Sequence, residues 1–214
     1  ISLILNLLVN WIILFNSDVS PEFEIAMTQS FFWILPRSPW LASVACIKYE
    51  GVPVEVRVAE TLFMEYKRMY NVDIRIVRIF NTYGPFMNKD DGRVVSNFIN
   101  QALNNENITI YGKGKQTRSF CYIDDLIKGL YLTMQSKYFN PINLGNPNEI
   151  TIKELADIII NLTNSKSKII YKKLPLDDPT NRNPDITIAE NILKWSPLIN
   201  LKTGINRTID FYNN

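Results

Sequence analysis

The sequence predicts an α/β protein built on a mostly parallel sheet. Three observations lead there. "VDIRIVRIF" (72–80) is rich in β-branched residues and reads as a buried strand. Ahead of it, "VEVRVAETLFMEYKRMY" (54–70) places Val58, Leu62, Tyr66 and Met69 at helical spacing, the pattern of an amphipathic helix. Beyond it, strand-like and helix-like segments alternate to the C-terminus, the order that parallel βαβ units produce.

Taken in order, the chain opens on "ISLILNLLVNWIILF", which is strongly apolar but interrupted by Asn6 and Asn10. A membrane span needs about 20 apolar residues, and a signal peptide would want a basic start and a small-residue cleavage site, so a buried helix followed by a strand is expected. Residues 20–53 carry aromatic and Pro-rich patches without a period. After the helix at 54–70 and the strand at 72–80, the turn-forming "NKDDG" leads into a helix over "RVVSNFINQALNN". "ITIYG" is a short strand, and "FCYIDDLIKGLYLTM" passes from strand to helix with Asp124 as the capping candidate. "PINLG" is a strand closed by Gly145, and "TIKELADIIINLTN" opens with Thr151 and Glu154 spaced as a capping box. "KIIYKK" is a strand, "DDPTNRNPD" a polar loop, and two terminal helices follow. No internal repeat or low-complexity tract interrupts the order.

Composition narrows the function classes. The 214 residues are 46% apolar and 21% charged, ordinary for a globular protein. A net charge of +2 argues for neither nucleic acid nor a membrane surface as partner. The chain has no His, which removes the commonest zinc ligand and the usual general base; no metal is expected. Cys46 and Cys121 are far apart and form no C-x-x-C, so a reducing compartment is expected rather than a disulfide framework.

The chemistry is expected at strand ends. In "RIFNTYGPFM" an apolar run gives way to Asn81 and Thr82, then breaks at Gly84-Pro85. In open α/β sheets ligands bind at the carboxyl ends of strands, so two polar groups there would stand at the mouth of a cleft. The competing reading is an Asx turn, with Asn81 bonding its own backbone.

Six motifs, "RVAETL", "VRIFNTYGP", "DGRVVSNFINQAL", "ITIYGKGKQTRSFCYIDDLIKGL", "INLGNP" and "DDPTNRNPDI", follow one another from Arg57 to the C-terminus. Together they resemble the extended short-chain dehydrogenases, and most of all the UDP-glucuronate decarboxylases; "DGRVVSNFI" favours that branch over dTDP-glucose dehydratases and epimerases. The resemblance implies the end of a Rossmann-like parallel sheet plus a small α/β substrate-binding domain. It also implies NAD as cofactor, a UDP-sugar as ligand and a homodimer or a full-length homologue as partner. The expected compartment is the cytoplasm, or the Golgi lumen for a membrane-anchored form.

The family reaction oxidises the sugar C4 hydroxyl with bound NAD, releases the carboxylate as CO2 and returns the hydride to give UDP-xylose. By resemblance, Arg118 and Arg182 would grip the diphosphate through paired charge-assisted bonds, and Arg93 would lie on the nucleotide side. Tyr111 would lie along the uracil, Asn81 and Asn97 would offer amides to the substrate, and Thr82 would sit near the nicotinamide. Tyr66 reads equally as ligand contact or core packing, and each Arg on its own could be a solvated surface charge.

The sequence departs from the family ahead of Arg57. The family base is a Tyr with a Lys four residues later directly before "RVAET"; here those positions are Val52 and Val56. Tyr49, the nearest tyrosine, is followed four residues on by Pro53, which forbids a continuous helix. No Gly-x-x-Gly-x-x-Gly turn follows an initial strand, so the family's N-terminal strands and glycine-rich loop are read as missing. "IILFNSDVS" faintly resembles the family strand that would bring Ser17 and Asp18 beside the sugar. The chain begins at Ile1 and is expected to be a fragment or an altered member. Residues 1–53 are expected to be a divergent or misjoined remnant of the Rossmann-like domain. Residues 54–214 would hold its end and the nucleotide-sugar-binding domain. The expected function is decarboxylation of UDP-glucuronate by the family, with this chain inactive on its own. The alternatives are a non-catalytic nucleotide-sugar binder and another NAD-dependent sugar-nucleotide epimerase or dehydratase.

Overall fold

The computed structural model describes the backbone of residues 43–48 and 53–57, and backbone with side chains over 58–88, 92–173 and 183–213. The opening apolar segment, Ser17, Asp18, Tyr49 and Arg182 lie outside the described residues.

Strand β1 (Ser43–Lys48) is followed by helix α1 (Pro53–Tyr70) and strand β2 (Ile74–Ile79). β1 and β2 pair in parallel over their full length, from Ser43 beside Ile74 to Lys48 beside Ile79. β1 lies in the stretch whose sequence carries no period, and "SVACIK" has none to read. Pro53 occupies the first helical position of α1, where its missing N–H costs nothing. Strand β7 (Ile142–Leu144) adds to the other side of β2, also in parallel, with Ile79 beside Leu144. The α/β class with a parallel sheet is the observed architecture.

Between β2 and β7 the chain makes a long excursion. It contains β3 (Thr82–Tyr83), α2 (Val94–Leu103), β4 (Ile108–Tyr111), β5 (Thr117–Ser119), β6 (Cys121–Tyr122) and α3 (Ile123–Gln135). After β7 come β8 (Glu149–Thr151), α4 (Ile152–Thr163), β9 (Ile169–Lys172), a π-helical turn at Ala189–Leu193 and α5 (Leu201–Asn213). β3 pairs with β6 and β4 with β9, both in parallel, while β5 and β8 run antiparallel. The first of the two expected terminal helices is thus a single π-helical turn.

Val77, Leu126, Ile142, Leu144, Leu155, Ile159 and Ile205 are fully buried and join sheet and helices into one apolar core. Local signals set several boundaries. Thr151 and Glu154 form the expected capping box: the Glu154 N–H donates to Thr151 Oγ1 at 3.1 Å and the Thr151 N–H to Glu154 Oε2 at 2.9 Å. Asp124 is not the cap of α3. The helix starts at Ile123 with Tyr122 at the cap position, so Asp124 falls in the first turn.

One expectation about α1 is reversed. Val58, Leu62 and Met69 share a helical face as read, but they are exposed rather than buried. Glu60 faces the sheet instead: Arg78 of β2 donates to both of its carboxylate oxygens, at 2.6 and 2.7 Å. This fork-on-fork pair ties "RVAET" to "VRIFNTYGP". Among the described residues, no helix is long and apolar enough to cross a membrane.

Candidate functional site

β2 and β7 end at the same edge of the sheet, and the backbone N–H of Phe80 extends their ladder to Leu144 O at 3.0 Å. Immediately beyond stand two polar pairs, Asn81-Thr82 after β2 and Gly145-Asn146 after β7. Each sends an amide into the crossing segment Ser119–Cys121. Asn81 Nδ2 donates to Ser119 O at 3.3 Å, and Asn146 Nδ2 donates to Phe120 O at 3.1 Å. The Cys121 N–H returns a bond to Asn81 O at 2.8 Å. The Asx turn is therefore not what Asn81 makes: its side chain reaches across to another strand. Thr82 Oγ1 donates to Phe80 O at 2.8 Å and faces Cys121 in the β3–β6 pair.

This arrangement brings Arg118 to the strand ends, because it immediately precedes Ser119. Arg118 is only 8% exposed, which removes the plain surface-charge reading, and its Nη1 donates to Thr117 O at 2.8 Å. Tyr111 stands at the end of β4 and is 48% exposed, so its ring has a free face. The loop from Tyr111 toward Arg118 is shaped by Gly112 and Gly114, at φ of 74° and 70°, a conformation that favours glycine. Gln116 Nε2 closes it by donating to Tyr111 O at 2.7 Å.

Arg93 and Asn97 come together at the opening of α2, where the Asn97 N–H donates to Arg93 O at 2.9 Å. Both are half-buried. Tyr66 is half-buried on α1 with its ring 5.3 Å from that of Tyr70, a pairing within its own helix. Pro184, two residues after Arg182, lies against Gly145. A Cβ built there would come within 2.9 Å of Pro184 Cγ and 2.8 Å of Phe80 Cβ. Asn143 Nδ2 also donates to Asp185 O at 2.8 Å. Pro184 and Asp185 are thus fastened beside the same strand ends.

The tyrosine of "NTYGP" cannot act as a base. Burial pushes the Tyr83 phenol well above its ordinary value, and its hydroxyl donates to Leu201 O at 3.1 Å. Burial also raises Tyr122, helped by Asp124, while Arg207 opposes the rise. Among the described residues, no group of three or more His, Cys, Asp or Glu could hold a metal ion. Asn146 escaped the sequence reading. Its signal was available, since "LGNP" ends β7 as "FNTYGP" ends β2.

Residues 54–145 match the model of the NAD dependent epimerase/dehydratase family. UDP-glucuronic acid decarboxylase 4 of Arabidopsis thaliana is 51% identical over 149 residues, covering 70% of this chain and 34% of that protein. UDP-glucuronic acid decarboxylase 1 of Danio rerio is 48% identical over 157 residues, covering 73% and 38%. Over these residues the chain is similar to that family and, within it, to UDP-glucuronic acid decarboxylases. Among solved structures, the UDP-glucuronic acid 4-epimerase of Bacillus cereus in complex with UDP-glucuronic acid and NAD superposes with a TM-score of 0.67. It is 28% identical over 72% of this chain and 50% of that one. The chain spans between a third and a half of the length of the curated relatives it matches.

The described residues offer NAD little. Among them no glycine-rich turn joins a strand to a helix, and Thr82 is the one cofactor-side candidate that they include. Val52, where the family places its Tyr, lies outside them; Val56, where it places the Lys, is an aliphatic residue within α1. These residues do not fit a dinucleotide seat.

Proposed function

We propose that this chain holds the nucleotide-sugar-binding part of a UDP-glucuronate decarboxylase and that its ligand is UDP-glucuronate. The observation that carries the reading is the shared carboxyl edge of β2 and β7, where Asn81, Thr82 and the strand bearing Arg118 are locked together. Paired strand ends with convergent polar groups are where α/β sheets take ligands. In this reading Arg118 and Arg182 bind the diphosphate and Arg93 lies on the nucleotide side. Tyr111 lies flat on the uracil. Asn81 and Asn97 bond the sugar nucleotide, and Thr82 marks the nicotinamide edge. Oxidation and decarboxylation belong to a protein that also supplies the Tyr–Lys base and the cofactor seat. The exposed stripe of Val58, Leu62 and Met69 on α1 supports self-association through that helix.

Calorimetric titration of the full chain with UDP, UDP-glucuronate and UDP-glucose, each with and without NAD, tests the reading. The expected result is saturable heat with UDP and UDP-glucuronate that NAD does not change, and no UDP-xylose formed. Absence of heat with every nucleotide overturns it. Preference for UDP-glucose moves the chain to the epimerases or dehydratases.

A further inference from the structure

The segment that follows Asn81 and Thr82 does not hold its own shape. It turns at Gly84-Pro85, and Phe86 takes a φ of 68°, a left-handed conformation that a bulky residue adopts only when its surroundings impose it. The surroundings are α5. Leu201 O in its first turn accepts from Tyr83 Oη at 3.1 Å. Gly204 lies so close beneath Tyr83 and Tyr122 that an added Cβ would collide with the Tyr83 hydroxyl. Near the other end, the Phe211 ring sits 4.4 Å from the Phe86 ring. Tyr212 Oη donates to Met87 O at 3.0 Å in a buried bond. Leu201, Gly204, Phe211 and Tyr212 are spaced so as to share one face of a single helix, and that face touches the segment at Tyr83, Phe86 and Met87.

We propose that α5 is the splint that sets the segment Asn81–Met87 for the nucleotide sugar, and that Tyr212 is its positioning residue. This rests on the reading that Asn81 and Thr82 face that ligand. Tyr212 itself meets no ligand: it is 6% exposed and its hydroxyl is taken by Met87 O. What it supplies is restriction. A segment that is in the binding conformation only a fraction of the time lowers affinity by that fraction. A carbonyl left without its donor is a reason for the segment to leave that conformation.

The test is Tyr212→Phe in the full chain, which keeps the ring and removes only the hydroxyl. Amides of residues 83–88 are expected to exchange with deuterium about tenfold faster, while those of β4 are unchanged. Affinity for UDP-glucuronate is expected to fall about five- to tenfold and affinity for UDP less than twofold, because Tyr111 and Arg118 lie off the splint. A merely structural role would lower the melting temperature without changing that ratio. Unchanged exchange at 83–88 overturns the splint, and faster exchange with an unchanged affinity ratio overturns the positioning role. Wild-type chain that binds neither nucleotide sinks the UDP-sugar reading and the positioning role with it. Unchanged exchange beside intact binding sinks the splint alone.

Discussion

Asp125 is the side chain whose loss should be felt most directly. It is 4% exposed on α3, and its Oδ2 accepts from the backbone N–H groups of Leu198 and Ile199, at 3.0 and 2.8 Å. Its own backbone oxygen accepts from Trp195 Nε1 at 2.9 Å, so the "WSPLI" loop is fastened to the helix at three points. Asp125→Ala removes two charge-assisted bonds, each worth about 1.5–3 kcal/mol, and strands two amides. Leu198 is 72% exposed, so water can reach one of those amides. Removing a buried charge also returns part of its desolvation cost. A net loss of about 3 kcal/mol remains, which at about 2–4 °C per kcal/mol for a chain of this size lowers the melting temperature by about 6–12 °C. Asp125→Asn keeps an oxygen in the same place with bonds about half as strong, so it should fall by about half as much. Thermal unfolding followed by circular dichroism measures both. An Ala variant melting within 2 °C of wild type, or an Asn variant as unstable as Ala, refutes the reasoning.

Three further outcomes are expected. Tyr111→Ala should leave the melting temperature within about 1 °C, because the ring is half exposed, yet weaken UDP about tenfold by calorimetry, the scale of one base–aromatic stack. The Cys121 thiol is pushed up to about 12 from 9.0, first by burial and then by the Asp125 charge. At pH 8 its thiolate fraction is then about one in ten thousand, so peptide mapping should find Cys121 unalkylated by iodoacetamide until the protein unfolds. The folded state holds that proton more tightly than the unfolded one, so this contribution to stability is full below pH 9 and lost as pH rises toward 12. On the proposed self-association through α1, Leu62→Glu on its exposed face should leave the fold intact and yield a monomer by light scattering where the wild-type chain gives a dimer.

Local chemistry made much of the fold legible. The Thr151–Glu154 box formed as spaced, because both its bonds lie within one turn of chain. β2, β4, β7 and β9 fell within "VDIRIVRIF", "ITIYG", "PINLG" and "KIIYKK", the segments read as strands. The helix of α1 was equally clear, but its orientation was not. A 3.6-residue period shows that Val58, Leu62 and Met69 share a face, and nothing in it says which side the core lies on. The Asp124 cap failed for a related reason, since a cap depends on where the backbone leaves the strand, and β6 runs straight into α3.

The sequence by itself determined the α/β class, the family and the residue types at the strand ends, because these depend on neighbours along the chain and on motif order. Tertiary structure alone decided that Asn81 reaches Ser119, that Arg118 is buried beside it, and that Asn146 grips the same segment from the other strand. It likewise decided that a helix more than a hundred residues later braces Met87. Each of these joins groups far apart in sequence, and the packing of the core, not any local propensity, sets the distance between them.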